Sequence, residues 1–312
     1  MKRLELEALS ADREAVRSML AATGQDDPVG QISLGARLAS IEADIQRVAN
    51  LNETLGSVAL MFSGGPVHGS RSIAADFATT AVKTFQDLIT KRIAGDEFGR
   101  LGSRGRVPER TLSSLAIREL VRGSVGFVLE ETSANTELLD TPVKRAIGDV
   151  TTIIGQAAAE SDEAFEASVE TLDPRMLVSL RDFFRVLDDS HASIRIVEDE
   201  TDESLDGTAV HRARLRVDST EVEDIESDTV VGELLGLLPD SRKFEMKLAD
   251  TGEVIRGTVG ANMAASWLEL IEQPEQRLVG QFWRTRMRIR EVRERNRPPR
   301  NLYTLLGLIE RR

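Results

Sequence analysis

The most distinctive chemical pattern in this sequence is a row of arginines near its C-terminus. Four arginines occupy every second position of the stretch from Gln281 to Val292, namely Arg284, Arg286, Arg288 and Arg290. The positions between them are held by Trp283, Thr285, Met287 and Ile289. Because a period of two is typical of a β-strand with one charged and one apolar face, the sequence predicts four guanidinium groups in a row on one strand.

Arg293 and Arg295 continue the basic run beyond this strand. We treat these six arginines as a candidate partner-binding surface, and three interpretations stay open. The row binds an anionic partner, such as nucleic-acid phosphates or an acidic protein, in a salt-dependent manner. Alternatively, it is an exposed strand face whose charges discourage edge-to-edge aggregation. In the third interpretation it pairs with the chain's own acidic segment between Glu198 and Asp228.

A glycine-rich loop, SGGPVHGSRS at residues 63–72, is the second candidate site. It follows a short apolar segment, residues 57–62, that predicts a buried strand, and it precedes a helix expected over residues 73–93. A strand, a glycine loop and a helix together present backbone N–H groups to an anion. The candidate anion-binding residues are therefore Gly64, Gly65, His68, Ser70 and Arg71.

The alternative for this loop is purely structural. It lacks the lysine and the spacing of a P-loop, and it lacks the three-glycine spacing of a dinucleotide-binding fingerprint. Two adjacent glycines also allow the chain a tight exit from a strand, with no ligand involved.

The sequence identifies no catalytic residue, no metal site and no cofactor. Its three histidines, His68, His191 and His211, share no short spacing, and neither HExxH nor GxSxG occurs. The acidic run after Val197 lacks the glycine and the terminal glutamate of an EF-hand loop. The chain contains no cysteine, which excludes disulfides and thiolate chemistry. These observations favour a protein that is not an enzyme.

Composition and charge limit the class of protein. The chain has 312 residues, 41% of them hydrophobic, and a formal net charge of −12. These values are typical of a soluble globular protein and argue against general coating of nucleic acid. The N-terminus carries charges where a signal peptide needs an apolar core, and no apolar run reaches membrane-spanning length. We therefore expect a cytoplasmic protein with no membrane partner.

The elements fall into three expected regions of an α+β chain. Residues 1–56 predict a helical hairpin, since apolar residues recur at helical spacing over residues 2–22 and again as a short heptad seam over residues 33–55. That seam either packs within the chain or forms a dimer. Residues 57–217 predict an α+β domain, in which a small sheet carries helices on one face. We expect the acidic stretch at 198–228 to be a solvated connector.

Residues 218–312 predict a small β-barrel-like domain with one helix. Alternating patterns give three strands, a helix over residues 262–271, the arginine strand, a turn at 296–301 and a last strand over residues 302–309. Three strands, one helix and two strands is the order of an OB-fold, a five-stranded barrel that often binds nucleic acid or other polymers.

Three functional hypotheses follow from these patterns. The first is a non-catalytic adaptor or regulatory subunit that acts through a protein partner or through self-association. The second is a nucleic-acid-binding protein that uses the arginine strand. The third is a phosphate or nucleotide sensor, or an enzyme, that uses the glycine loop at 63–72.

Overall fold

The structure is a computed structural model of the whole chain. It describes residues 1–23, 27–51, 53–69, 72–98, 113–120, 125–132, 139–169, 172–238, 241–260, 263, 278–294 and 297–311. The expected mixture of helices and strands is confirmed, with helices at the N-terminus and a five-stranded sheet at the C-terminus. The chain divides into two compact units, Met1–Val217 and Asp218–Arg312.

Seven helices are seen in the described part of the chain. Their bounds are α1 Lys2–Ala22, α2 Pro28–Ala49, α3 Ala75–Phe98, α4 Pro142–Ala158, α5 Glu163–Val169, α6 Pro174–Asp189 and α7 Gly207–Ser219. The strands of the first unit are β1 Ser57–Gly64, β2 Val67–His68, β3 Ser72–Ile73, β4 Leu115–Leu120, β5 Val125–Glu131, β6 Ala192–Val197 and β7 Asp202–Leu205. The strands of the second unit are β8 Thr220–Leu238, β9 Lys243–Leu248, β10 Val254–Val259, β11 Phe282–Glu294 and β12 Arg297–Arg311.

Helices α1 and α2 form an antiparallel hairpin. Lys2 Nζ donates to the carbonyl oxygen of Leu51, and Arg17 pairs with Glu42 near the other end. Helix α2 begins at Pro28 because the Asp27 side chain accepts a hydrogen bond from the Gly30 N–H at 2.8 Å. The buried residues of the hairpin are Val16, Ile41 and Val48. Of the predicted heptad seam, Ile41 and Val48 are thus buried within the chain.

The first unit is built on a five-stranded antiparallel sheet in the order β4-β5-β1-β6-β7. Val58, Leu60 and Phe62 point from β1 towards the helices, and the ring of Phe62 lies 5.2 Å from that of Phe77 on α3. The opposite face carries a smaller apolar cluster against which Met1 and Leu4 of α1's first turn pack, Met1 being the N-cap of that helix. The sheet is thus covered by helices on one face and by the start of the hairpin on the other.

In the second unit all five strands have a partner on both sides. They pair in the order β10-β12-β11-β8-β9, and β9 also pairs with β10, so the sheet closes into a barrel. The core consists of buried apolar residues from every strand, with Leu234, Phe244, Met246, Ile255, Met287 and Leu305 among them. The helix predicted over residues 262–271 lies outside the described residues except for Met263.

The prediction of a solvated connector over residues 198–228 is wrong. Residues 202–205 form the edge strand β7, and residues 220–228 form the first half of β8. Glu198 is buried, and Asp199 lies 3.3 Å from Lys144. A charge-rich segment can enter a sheet when basic side chains face it, and the composition of the segment alone does not reveal those partners.

The turn predicted at 296–301 is also too long. Strand β12 already begins at Arg297 and includes both prolines, which lie between the pairs Glu294–Arg297 and Val292–Arg300, where the register with β11 shifts. Proline is tolerated near the first residues of a strand, where its missing N–H need not belong to the ladder.

Candidate functional site

The arginine strand lies inside the second unit and has two long neighbours. Strand β11 pairs antiparallel with β8 on one side and with β12 on the other. The predicted apolar side of the strand faces the barrel core, since Met287 is fully buried there and Trp283 and Ile289 pack against the same cluster. The predicted two-faced strand is therefore present, and its charged side is the part that bears on function.

The charged side of β11 is paired with the acidic half of β8. Arg288 stands directly opposite Glu226, and Arg290 directly opposite Asp224. Their ion pairs measure 2.7 Å from Arg288 Nη2 to Glu226 Oε1 and 2.9 Å from Arg290 Nε to Asp224 Oδ1. The third pair joins Arg286 Nε to Asp228 Oδ1 at 2.7 Å.

These three pairs differ in how far solvent reaches them. The side chain of Arg286 is 55% exposed, that of Arg288 is 21% exposed and that of Arg290 only 2% exposed. Arg290 also holds Asp224 with two nitrogens, because its Nη2 lies 3.2 Å from Asp224 Oδ2. Planar, two-point contact is the strong form of an arginine–carboxylate pair. The row thus changes along the strand from a surface ion pair to a buried one.

The remaining arginines of the predicted surface have separate positions. Arg284 pairs with Glu310 of β12 at 3.4 Å, and its Nε is buried without a hydrogen-bond partner among the described residues. Arg293 pairs with Glu291 on its own strand at 2.8 Å. Arg295 lies outside the described residues.

Of the three interpretations of the row, the intramolecular one describes what the structure contains for Arg286, Arg288 and Arg290. Their partners are three acidic residues of the segment that the sequence marked as acidic. Asp228 raises the pKa of Arg286 above its ordinary value through a hydrogen bond. An external anion would have to compete with carboxylates already in place.

The glycine loop is built differently from a phosphate-binding loop. Two short strands, β2 and β3, separate β1 from α3, which begins only at Ala75. The Ser72 hydroxyl donates to the carbonyl oxygen of His68, so Ser72 does not cap the helix. His68 is exposed on β2. The other two candidates, Ser70 and Arg71, lie outside the described residues.

The paired glycines of this loop pack against a turn that joins α6 to β6. The Gly65 N–H donates to the carbonyl oxygen of His191 at 3.0 Å. A Cβ at Gly64 would lie 2.4 Å from that same oxygen, and a Cβ at Gly65 would lie 2.4 Å from the carbonyl oxygen of Ser190. Gly64 also has φ +88°. A side chain at either position would clash with backbone, so both glycines have a structural role here.

The turn that contacts these two glycines forms part of the wall of an open cavity of about 760 Å³. The cavity lies between the end of α6, the start of β6 and the first turns of α7. Its lining residues are Asp188, Asp189, His191, Ala192, Gly207, Thr208, His211 and Arg214. Two of the three histidines in the chain are thus brought together, although neither their spacing nor any motif predicted it.

The cavity contains a connected set of charged groups. His211 Nδ1 lies 3.2 Å from both oxygens of Asp188, and Arg214 Nη1 lies 2.9 Å from Asp188 Oδ2. Arg214 also pairs with Asp189. Burial opposes ionisation of Asp188, but the hydrogen bonds from His211 and Arg214 outweigh it and hold the pKa of this carboxyl below its ordinary value.

No arrangement for a metal ion is found in the parts of the chain that the structure describes, where no three histidine or acidic side chains are placed to share one. No helix in these parts is both long and apolar enough to cross a membrane.

Comparison with protein families, with curated proteins and with solved structures finds no match to this chain.

Proposed function

We propose that this protein is an adaptor or regulatory subunit whose role is to hold a protein partner or a second copy of itself. The observation that carries the proposal is an exposed apolar surface at one end of the helical hairpin. Met19 in the last turns of α1 is 53% exposed, and Val29 and Ile32 at the start of α2 are 76% and 74% exposed. Together these three residues are called the hairpin tip below.

The hairpin tip is separate from the residues that hold the hairpin together. Val16, Ile41 and Val48 are buried between the helices and elsewhere in the first unit, whereas the tip side chains point to solvent. Val29 and Ile32 are three positions apart and so lie on one face of α2. A contiguous exposed apolar patch of the kind that Val29 and Ile32 form is a mark of contact surfaces for other proteins.

Replacing Val29 and Ile32 together by aspartate tests this role. Because both side chains are largely exposed, we expect the double variant to fold with an unchanged circular dichroism spectrum and to lose its complex. The complex is measured by light scattering of the purified protein for self-association, and by affinity purification from the native host for other partners.

The matched control is Ile225→Asp, since Ile225 is also exposed but belongs to β8. The control should keep the complex. If the double variant keeps the same mass and the same co-purified proteins as the wild type, the tip is not the contact surface and the adaptor proposal loses its support.

Nucleic-acid binding by the second unit is the alternative proposal. What favours it is the strand order, because the third and fifth strands, β10 and β12, pair in parallel and the first strand, β8, pairs with the second and the fourth. This is the order of an OB-fold. Arg286 and Arg293 remain more than half exposed on β11 in spite of their acidic partners.

We therefore expect any binding of this kind to be weak and sensitive to salt, because phosphates must displace carboxylates. Fluorescence anisotropy with labelled single-stranded DNA and RNA, at increasing salt, measures it. The double variant Arg286→Gln with Arg293→Gln should weaken the binding, and Arg256→Gln, an exposed arginine of β10 outside the row, is the control. Equal affinity in all three proteins would eliminate the arginine row as the contact.

A further inference from the structure

The connected groups of the cavity have the arrangement of a base held by a carboxylate. A carboxylate only accepts hydrogen bonds, so the contact from His211 Nδ1 to Asp188 places a proton on Nδ1. The neutral ring then keeps its lone pair on Nε2, at the far side of the imidazole. Arg214, which is also on α7, binds Asp188 Oδ2 at the same time and so restrains the orientation of the carboxylate.

We propose that this cavity is a general-base site for the hydrolysis of small acyl esters, with His211 as the base and Asp188 as its positioning residue. This inference is independent of the hairpin tip and of the arginine row. It rests on a cavity large enough for a small molecule, a histidine oriented by an ionised carboxylate, and a second histidine on the same wall.

His211 Nε2 takes a proton from a water molecule as the water oxygen forms a bond to the ester carbonyl carbon. The carbonyl oxygen then carries the negative charge of a tetrahedral intermediate. When the intermediate collapses, the C–O bond to the leaving alcohol breaks and the proton on Nε2 passes to the alkoxide. The products are a carboxylic acid and an alcohol, and no further reactant is needed.

Two groups on the cavity wall are available to the developing oxyanion. The Thr208 hydroxyl lies one turn before His211 on α7, and residues three positions apart share a helix face. His191 lines the same cavity and carries a second ring N–H donor. Donors placed where negative charge develops are often the largest contribution to catalysis of acyl transfer.

The backbone of His191 determines the shape of this wall of the cavity. Its φ is +50°, in the left-handed region that non-glycine residues rarely occupy. The turn is held in place by its contacts to Gly64 and Gly65 and by the hydrogen bond from the His191 N–H to the carbonyl oxygen of Asp188 at 2.9 Å. His191 follows the C-cap Ser190, where a left-handed residue commonly ends a helix. Through these contacts the glycine loop holds in place the turn that forms this wall of the cavity.

Hydrolysis of p-nitrophenyl acetate by the full chain is the test. General-base catalysis contributes roughly 100-fold to 10,000-fold to a rate, so we expect His211→Gln to lose at least about tenfold of the protein-catalysed rate. The control is His68→Gln, because His68 is an exposed histidine that lines no part of this cavity. If the histidines merely react as exposed imidazoles, the two variants will lose similar amounts, and the proposal is overturned.

The role of Asp188 needs a measurement that does not depend on activity alone. Ring ¹⁵N chemical shifts of His211 report its tautomer, and we expect the wild type to carry its neutral-state proton on Nδ1. Asp188→Asn should lower the hydrolysis rate and also shift the tautomer towards Nε2–H, while amide spectra show an intact fold. A wild-type Nε2–H tautomer, or an unchanged tautomer and rate in the Asp188→Asn variant, would contradict the assignment.

Discussion

At the scale of single residues, Arg290 shows how differently similar side chains of one row can act. It is 2% exposed and holds Asp224 with two nitrogens, while Arg286, two pairs further along, is 55% exposed. Burying an ion pair carries a desolvation cost, and the pair becomes essential to the fold once it is formed because loss of one partner leaves a buried charge. The same residue type at the same spacing thus has a structural role at one end of the row and a surface role at the other.

The corresponding prediction concerns Arg290→Gln. We expect it to lower the free energy of unfolding by about 3–5 kcal/mol, because Asp224 would remain largely buried without this cation. Urea unfolding followed by circular dichroism measures the loss. Arg286→Gln is the control and should move the unfolding midpoint little, as removal of an exposed ion pair does. Similar shifts of the unfolding midpoint in the two variants would mean that the difference in burial does not make the Arg290–Asp224 pair more important to stability than the Arg286–Asp228 pair.

At the scale of elements, ion pairs connect segments that lie far apart in the sequence. The edge strand β7 is held to β6 by Arg195, whose Nη2 lies 2.6 Å from Asp202 Oδ2 and also contacts Glu7 of α1 at 2.9 Å. Arg3 of α1 lies 3.7 Å from Asp202 as well. The acidic segment that contains Asp202 resembles a connector in composition. Its ion pairs nevertheless help to attach the helical hairpin to the sheet.

This attachment predicts a pH dependence of stability. The hydrogen bond from Arg195, against the effect of burial, lowers the pKa of Asp202 below its ordinary value. A carboxyl with a lowered folded-state pKa stabilises the fold above its unfolded pKa of about 3.9, and the stabilisation is lost as pH falls through the folded value. We therefore expect Asp202→Asn to be less stable than the wild type at pH 7 and the difference to shrink below about pH 4.

Thermal unfolding at pH 7, 5, 4 and 3 checks this expectation. Asp12→Asn is a suitable control because Asp12 is exposed on α1, and it should follow the wild type at every pH. A difference between Asp202→Asn and the wild type that stays constant down to pH 3 would show that the carboxylate's charge is not what stabilises β7.

At the scale of the whole molecule, the basic segment of an acidic chain is largely neutralised within its own unit. Asp224, Glu226 and Asp228 pair with Arg290, Arg288 and Arg286, respectively. The two series run in opposite directions because β8 and β11 are antiparallel. This favours a contact surface that is apolar, the hairpin tip, over one that is basic. The adaptor role and the cavity chemistry depend on different residues of the first unit, so the Val29 and Ile32 variants and the His211 variant test them separately.

The sequence by itself predicted the features that depend on local periodicity. Helices α4 and α6 each begin where a capping side chain, Thr141 or Asp173, precedes a proline, which is a purely local signal. The alternation from Trp283 to Arg290 correctly predicted a strand with an apolar and a charged face, since the side-chain period of a strand is set by its backbone. The acids at 224, 226 and 228 alternate in the same way, but their segment was predicted to be a connector because composition does not reveal strand partners.

Only the tertiary structure decided which of these residues meet. Burial of Arg290 and exposure of Arg286 depend on what surrounds each point of one strand, which spacing does not specify. His191 lies in the turn before β6, and His211 lies on α7. They share a cavity because the end of α6, the start of β6 and the first turns of α7 surround the same space. Gly64 and Gly65 were recognisable as a tight exit from a strand, but their neighbour is a turn far later in the chain. Chemistry that depends on distance between remote segments is fixed by packing, whereas a local pattern fixes only the element that carries each side chain.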